Sequence, residues 1–264
     1  LLQQEPAGMR QDGNGCHWSS LMAAIMAAEN SSPGIFEGHG IAGACPAVIR
    51  QAILGMKRGA DMKSISNEIR DAMNIAVLKS LYGGEYGMHG SVSANLYALV
   101  GGPHLETGSL ASAEWRKKWE VCTLSTATCS VCKTSSPTPR ELCPFILRKE
   151  NLADLTEASA ADAAAILDLQ LSGGDPATSE FPETCKDDTC SGALQKDLSV
   201  VSMPELLFIE LEDNNSDRVV STSDMNPTIA NHNYNLVAII YCRSNDHFFA
   251  QVKHNGLWYM ANDN

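Results

Sequence analysis

Gln11-Asp12-Gly13-Asn14-Gly15-Cys16-His17-Trp18-Ser19-Ser20-Leu21-Met22-Ala23-Ala24-Ile25-Met26-Ala27-Ala28 sets a cysteine where a glycine-containing loop runs into a helix. Trp18 to Ala28 is rich in helix formers, and Asn30-Ser31-Ser32-Pro33-Gly34 ends the run, so the helix starts at the cysteine. The partial positive charge at a helix start favours a thiolate over a thiol, and glycines before it let a substrate backbone approach closely. Those are the needs of a nucleophile. A structural cysteine packed beside a helix is the competing reading of this segment.

Working outward, helical signals dominate the first hundred residues. Pro46 to Met56 has a proline near its start, Met62 to Leu81 repeats Ile65, Ile69, Met73, Val77 and Leu81 every fourth position, and Ser91 to Val100 follows. Glycine-rich loops at Gly34 to Gly43 and Gly83 to Gly90 separate them. From about Trp119 the pattern turns to β-branched and alternating runs: Val121 to Thr128, Leu198 to Ser202, Leu206 to Leu211, Arg218 to Thr222, Leu236 to Tyr241, Phe248 to Val252 and Leu257 to Met260. One helix, Leu155 to Leu169, and a Gly/Pro/acid-rich loop, Ser172 to Glu183, interrupt this half. The expected fold class is α+β, as one domain over 1–264.

Near the far end, Asp246-His247-Phe248-Phe249-Ala250-Gln251-Val252-Lys253-His254-Asn255-Gly256-Leu257-Trp258-Tyr259-Met260-Ala261-Asn262-Asp263 reads as two strands joined by an Asn-Gly hairpin. A histidine opening the first strand and a polar residue closing the second share one end of a hairpin. His247 with Asn262 or Asp263 therefore supplies an imidazole to take a thiol proton and a third group to hold its tautomer. A packed histidine on an apolar strand is the alternative.

Cys129-Ser130-Val131-Cys132 and Cys185-Lys186-Asp187-Asp188-Thr189-Cys190 are two cysteine pairs that bound an insertion. Two turns giving two thiolates each suit a closed, structural tetrahedral zinc site. A disulfide or unlinked thiols are the other readings, and Cys122 and Cys143 are near enough in sequence to replace a ligand.

With 44% hydrophobic and 19% charged residues over 264 positions, the chain can bury a core and is not disordered throughout. A formal charge of −12 and no basic run longer than Arg116-Lys117-Lys118 argue against nucleic acid as partner. No stretch has the roughly 20 continuous apolar residues of a membrane span, so no membrane partner is expected. Nine cysteines, an odd count, in a chain without a leader-like start point to thiols and metal in a reducing compartment. The ends, Leu1 and Asn264, are those expected of a domain excised from a longer chain.

Together these segments resemble the ubiquitin-specific protease family of papain-like cysteine isopeptidases. Gly13-Asn14-Gly15-Cys16-His17-Trp18-Ser19-Ser20 is similar to the family's cysteine box, and Thr128 to Ser136 to its first zinc knuckle. Cys185, Cys190, Ala193, Lys196 and Met203 to Leu211 resemble the second knuckle and the strand after it. Tyr234 to Ile240, His247-Phe248 and Trp258-Tyr259 resemble the histidine box.

The resemblance implies a helical thumb over about 1–105, a β-sheet palm over about 106–264 and short zinc-ribbon fingers inserted around 119–212. It implies Cys16 as nucleophile, His247 as general base and Asn262 as the orienting residue, with Asp263 as substitute. Gln11 stands where the family has an asparagine oxyanion donor. The ligands would be Cys129, Cys132, Cys185 and Cys190 around a structural zinc ion, and the substrate a ubiquitin-type or SUMO-type conjugate in the nucleus or cytoplasm. Met88 to Leu96 lacks the acidic and glutamine groups with which the family grips the ubiquitin tail, Asn245-Asp246 replaces a glycine pair, and Cys242 stands where a histidine is usual. These departures keep two alternatives open: a SUMO-specific isopeptidase and an inactive, modifier-binding scaffold.

Overall fold

The computed structural model describes residues 16–58, 92–100, 111–142, 145–148, 184–185, 187, 189–212, 226–243 and 247–261. Among them are four helices, α1 (Cys16–Ser31), α2 (Ala44–Lys57), α3 (Val92–Val100) and α4 (Ala113–Lys117). The strands are β1 (Val121–Cys129), β2 (Ser135–Leu142), β3 (Phe145–Arg148), β4 (Leu194–Ser202), β5 (Ile209–Glu212), β6 (Thr228–Ile229), β7 (His232–Asn233), β8 (Ala238–Arg243), β9 (His247–His254) and β10 (Leu257–Ala261). The mixed helix and strand content agrees with the α+β expectation. The predicted helices Met62–Leu81 and Leu155–Leu169 and the predicted strand Arg218–Thr222 lie outside the described residues. The chain divides into two compact units, Leu1–Lys118 with Leu236–Asn264, and Trp119–Asn235.

In the first unit α1 is central. Leu21, Met22 and Ile25 are fully enclosed, and Cys16, Trp18, Ala24, Ala27 and Ala28 are buried with them. A helix apolar on nearly every side belongs in an interior. Ala23 and Ala27 lie against Ala250 and Val252 of β9, with Val237, Ala238, Ile240, Tyr259 and Ala261 around them; short alanine side chains allow this close approach to the antiparallel sheet β10-β9-β8. Both α1 and α2 also pack on α3. The buried Glu29 carboxylate at the end of α1 accepts the Gly34 N–H at 3.1 Å and pairs with Lys57 of α2. The short helix α4, which periodicity did not announce, is fixed by its cap: Ser112 Oγ accepts the Trp115 N–H at 3.2 Å, and the buried Trp115 indole donates to the Leu99 carbonyl at 2.9 Å.

The second unit is built on the antiparallel sheet β2-β1-β4. Along β1 the residues alternate strictly between buried and half-buried, as a central strand does. β2 is an edge strand, and Pro137 and Pro139 sit two residues apart in it; with the same pleat parity, neither proline has to donate to the ladder. β5 starts at Ile209 rather than at the predicted Leu206 because its parallel partner β3 begins opposite it, Phe145 to Ile209. The chain before β5 is held by the Trp119 and Phe208 rings, whose centroids are 5.7 Å apart, and by the Tyr234 hydroxyl donating to the Pro204 carbonyl at 2.7 Å.

Candidate functional site

Candidate residues fall in both units. In the second, β1 ends at Cys129 and turns back into β2 through Ser130 to Thr134. The turn is tightened by the Lys133 N–H donating to the Cys129 carbonyl at 3.1 Å and the Cys129 N–H to the Thr134 carbonyl at 3.0 Å. Lys133 takes a positive φ of 62° to close it. The second turn, Cys185 to Gly192, is closed by the Cys185 N–H on the Gly192 carbonyl at 3.0 Å and the Cys190 N–H on the Asp187 carbonyl at 2.8 Å. One bond, Ser130 N–H to the Ala193 carbonyl at 2.9 Å, ties the two turns together.

The result brings together all four cysteines that the sequence pairs singled out. The sulfur atoms of Cys129, Cys132, Cys185 and Cys190 lie within 4.8 Å of one another, with Cys129 to Cys190 at 3.5 Å and Cys132 to Cys185 at 3.7 Å. A tetrahedron of metal–sulfur bonds near 2.3 Å has edges of about 3.8 Å, so the donor set fits a tetrahedral thiolate-bound ion. Cys122 is half-buried within β1 and is not in the cluster; Cys143 lies outside the described residues.

The thiols divide by proton affinity. Hydrogen bonding with the Thr134 hydroxyl and with its amide holds Cys132 down at about 6, and the amides of Cys132 and Val131 lower Cys129. The Asp187 amide also favours the Cys185 thiolate, but desolvation and the sulfur of Cys132 outweigh it and push Cys185 up to about 12. Four mutually close sulfurs cannot all carry negative charge without a cation.

Thr134 and Gly192 complete this centre and were not singled out from the sequence. A Cβ at residue 192 would fall inside the contact radius of Cys129 Sγ, so only glycine fits. The glycine two residues past Cys190 was the available signal.

The first unit holds the other candidates. Cys16 is the first residue of α1 and only 4% exposed; His247 is the first residue of β9 and half-buried. At the opposite ends of the same two elements, Asn30 Nδ2 and His254 Nδ1 lie 3.4 Å apart. With Ala23 and Ala27 against Ala250 and Val252 in between, α1 and β9 run in the same direction.

The two spans are also matched. From Cys16 to Asn30 the helix rises about 21 Å, and from His247 to His254 the strand extends about 23 Å, so Cys16 and His247 belong to the same end of the α1–β9 pair. Cys16 shares the α1 face of Ser20, Ala23 and Ala27 by helical spacing and is turned to the sheet. His247 alternates out of phase with Ala250 and Val252, so its pleat position is on the opposite face of the sheet, at the first residue of the strand. Gln11, Asn262 and Asp263 lie outside the described residues; β10 is described as far as Ala261, opposite Ala250.

No family model matches the sequence, and no curated protein matches it. Among solved structures the chain is similar to a chain of the SAGA DUB module Ubp8/Sgf11/Sus1/Sgf73 bound to monoubiquitin, with a TM-score of 0.62 and 14% sequence identity. The match covers 97% of this chain and 63% of that one, so this chain spans about 63% of the length of its structural relative. The likeness is one of fold.

Proposed function

We propose that the protein is a thiol-dependent isopeptidase that removes ubiquitin or a ubiquitin-like modifier from lysine side chains. In this reading it has a papain-like frame of helical thumb, β-sheet palm and short zinc-ribbon fingers. The observation that carries it is the matched alignment of α1 with β9, which puts Cys16 and His247 at the same end of the pair. The fold likeness to a deubiquitinase module bound to monoubiquitin supports the same reading and favours ubiquitin among the modifiers.

In this scheme His247 takes the Cys16 proton, and the thiolate attacks the carbonyl carbon of the modifier's C-terminal residue. The Cys16 backbone N–H at the helix start and the Gln11 side-chain amide donate to the oxyanion. The lysine amine leaves with the proton from His247 as the C–N bond breaks, giving a thioester. Water, deprotonated by His247, then attacks that thioester and releases the modifier and the Cys16 thiol. Asn262 holds the imidazole in the tautomer that faces the sulfur, Asp263 standing next to it as a substitute. Cys129, Cys132, Cys185 and Cys190 would hold a structural zinc ion, which folds the second unit and takes no part in the chemistry.

The test is incubation with ubiquitin and SUMO probes that carry a C-terminal electrophile, alongside Cys16→Ala. A covalent adduct with the ubiquitin probe, absent in the variant, is the expected result. An adduct with the SUMO probe alone would reassign the substrate, and none with either would leave only modifier binding.

A further inference from the structure

The four sulfurs of the second unit stand opposed across the two cysteine turns, one from each turn in either pair. Cys129 Sγ is 3.5 Å from Cys190 Sγ, and Cys132 Sγ is 3.7 Å from Cys185 Sγ. A disulfide holds its sulfurs at about 2.05 Å, so the pairs have to close by about 1.5 Å and about 1.7 Å. Such a displacement is within the swing of a cysteine Sγ about its Cα–Cβ bond.

Two further observations favour partners from opposite turns. Cys129 Sγ lies against Gly192 of the second turn, so close that a Cβ there would overlap it. The Ser130 N–H to Ala193 carbonyl bond holds the bases of the turns together without help from an ion. Access is graded in the same pairing: Cys132 is exposed, Cys185 and Cys190 are half-buried, and Cys129 is buried. Each pair therefore joins a more accessible sulfur to a less accessible one.

We propose that this cluster is a peroxide-responsive modification site, at which zinc is exchanged for two disulfides, Cys132–Cys185 and Cys129–Cys190. The Cys132 thiolate attacks one peroxide oxygen, the O–O bond breaks and hydroxide leaves, giving a sulfenic acid. The Cys185 thiolate attacks the Cys132 sulfur, the S–O bond breaks and a second hydroxide leaves, giving the first disulfide. Two of four ligands are then consumed and the ion is released. A second peroxide oxidises Cys190, and Cys129 displaces hydroxide from it in the same way. Water protonates nothing further, the hydroxides taking protons from the buffer, and a dithiol reductant reverses both bonds. Because each bond spans the turns, it takes over the clamp that the ion supplied. Release of zinc rests on the metal reading above; formation of the two bonds does not, since a metal-free chain can make them.

The experiment treats the purified chain, zinc-loaded or stripped with a chelator, with hydrogen peroxide. Native mass spectrometry reads zinc before and after, and non-reducing peptide mapping with fragment ions between Cys129 and Cys132 reads the links. The expected result is loss of one zinc ion, both cross-turn links in either preparation, and a melting temperature that a chelator no longer lowers. Zinc and free thiols should return with dithiothreitol and added zinc. In Cys132→Ser only Cys129–Cys190 should form, with Cys185 open to iodoacetamide, and Cys242→Ser should behave as the native chain. Absence of zinc from the untreated chain would count against the metal reading while the mapping still tests the pairing. Links within a turn, a Cys129–Cys185 link in Cys132→Ser, or sulfinic acids in place of links would overturn the proposal.

Discussion

Lys57 Nζ lies 2.5 Å from Glu29 Oε1, joining the last turn of α2 to the last turns of α1. The pair is lopsided: the Lys57 side chain is 45% exposed and that of Glu29 only 4%. Removing Glu29 leaves the Gly34 N–H without its acceptor in a part-buried place, whereas removing Lys57 costs only a more solvated contact. Glu29→Ala is expected to destabilise by about 2 kcal/mol, and Lys57→Met by less than about 1 kcal/mol. Urea unfolding of the two variants would measure the difference; equal losses would show that the ion pair, not the Gly34 bond, fixes the end of α1.

The proposed zinc centre should fail by two different routes. Cys129→Ser removes a ligand, and Gly192→Ala keeps all four thiolates but forces a methyl group against Cys129 Sγ. Both variants are expected to lose bound zinc in native mass spectrometry, and a chelator should lower the melting temperature of the native chain while leaving both variants unchanged. Full zinc occupancy in Gly192→Ala would mean that the second turn can move aside.

Burial pushes the Tyr234 phenol up to about 12, against about 10 for a phenol in an unfolded chain. The folded state therefore holds this proton more tightly. Its contribution to stability is intact below pH 10 and is lost as pH rises from 10 through 12. Tyr234→Phe is expected to cost about 1 kcal/mol at neutral pH through the lost bond to the Pro204 carbonyl. The gap between native and variant should close across that alkaline window; a constant gap in alkaline denaturation would rule out the linkage.

The β9–β10 turn places Asn255 at φ 49° and Gly256 at φ 80°, a two-residue turn with both central positions left-handed. A Cβ on Gly256 would meet open space, so the strain of Gly256→Ala is purely of backbone. It should cost about 1 kcal/mol in thermal unfolding.

For the proposed reaction, Gln11→Ala is expected to lower kcat about 100-fold with KM little changed, the signature of a lost oxyanion donor. Asn262→Ala should slow turnover more than Asp263→Ala in the same assay. The reverse order would give the orienting role to Asp263.

The elements that bury a regular face were legible in the sequence. α1 and α2 showed in their helix formers and flanking breakers, β1 and the β9–β10 hairpin in their β-rich runs and Asn-Gly turn, and the two cysteine pairs converge as their spacing indicated. β2 was not legible, because Pro137 and Pro139 signal a break unless the strand is known to lie at an edge. β3 and β6 are too short to show a period, and β5 takes its start from a partner distant in sequence. The matched lengths of α1 and β9 were equally hidden, since the Asn30 and His254 contact joins the two ends of the chain.

The Ser130–Ala193 hydrogen bond has a further implication, for engineering. It closes the base of both cysteine turns, so the turns are joined directly to each other and not only through the chain that leads from β3 to Cys185. A fluorescent or affinity domain spliced between β3 and Cys185 would therefore travel as cargo, leaving the register of β1 with β4 unchanged.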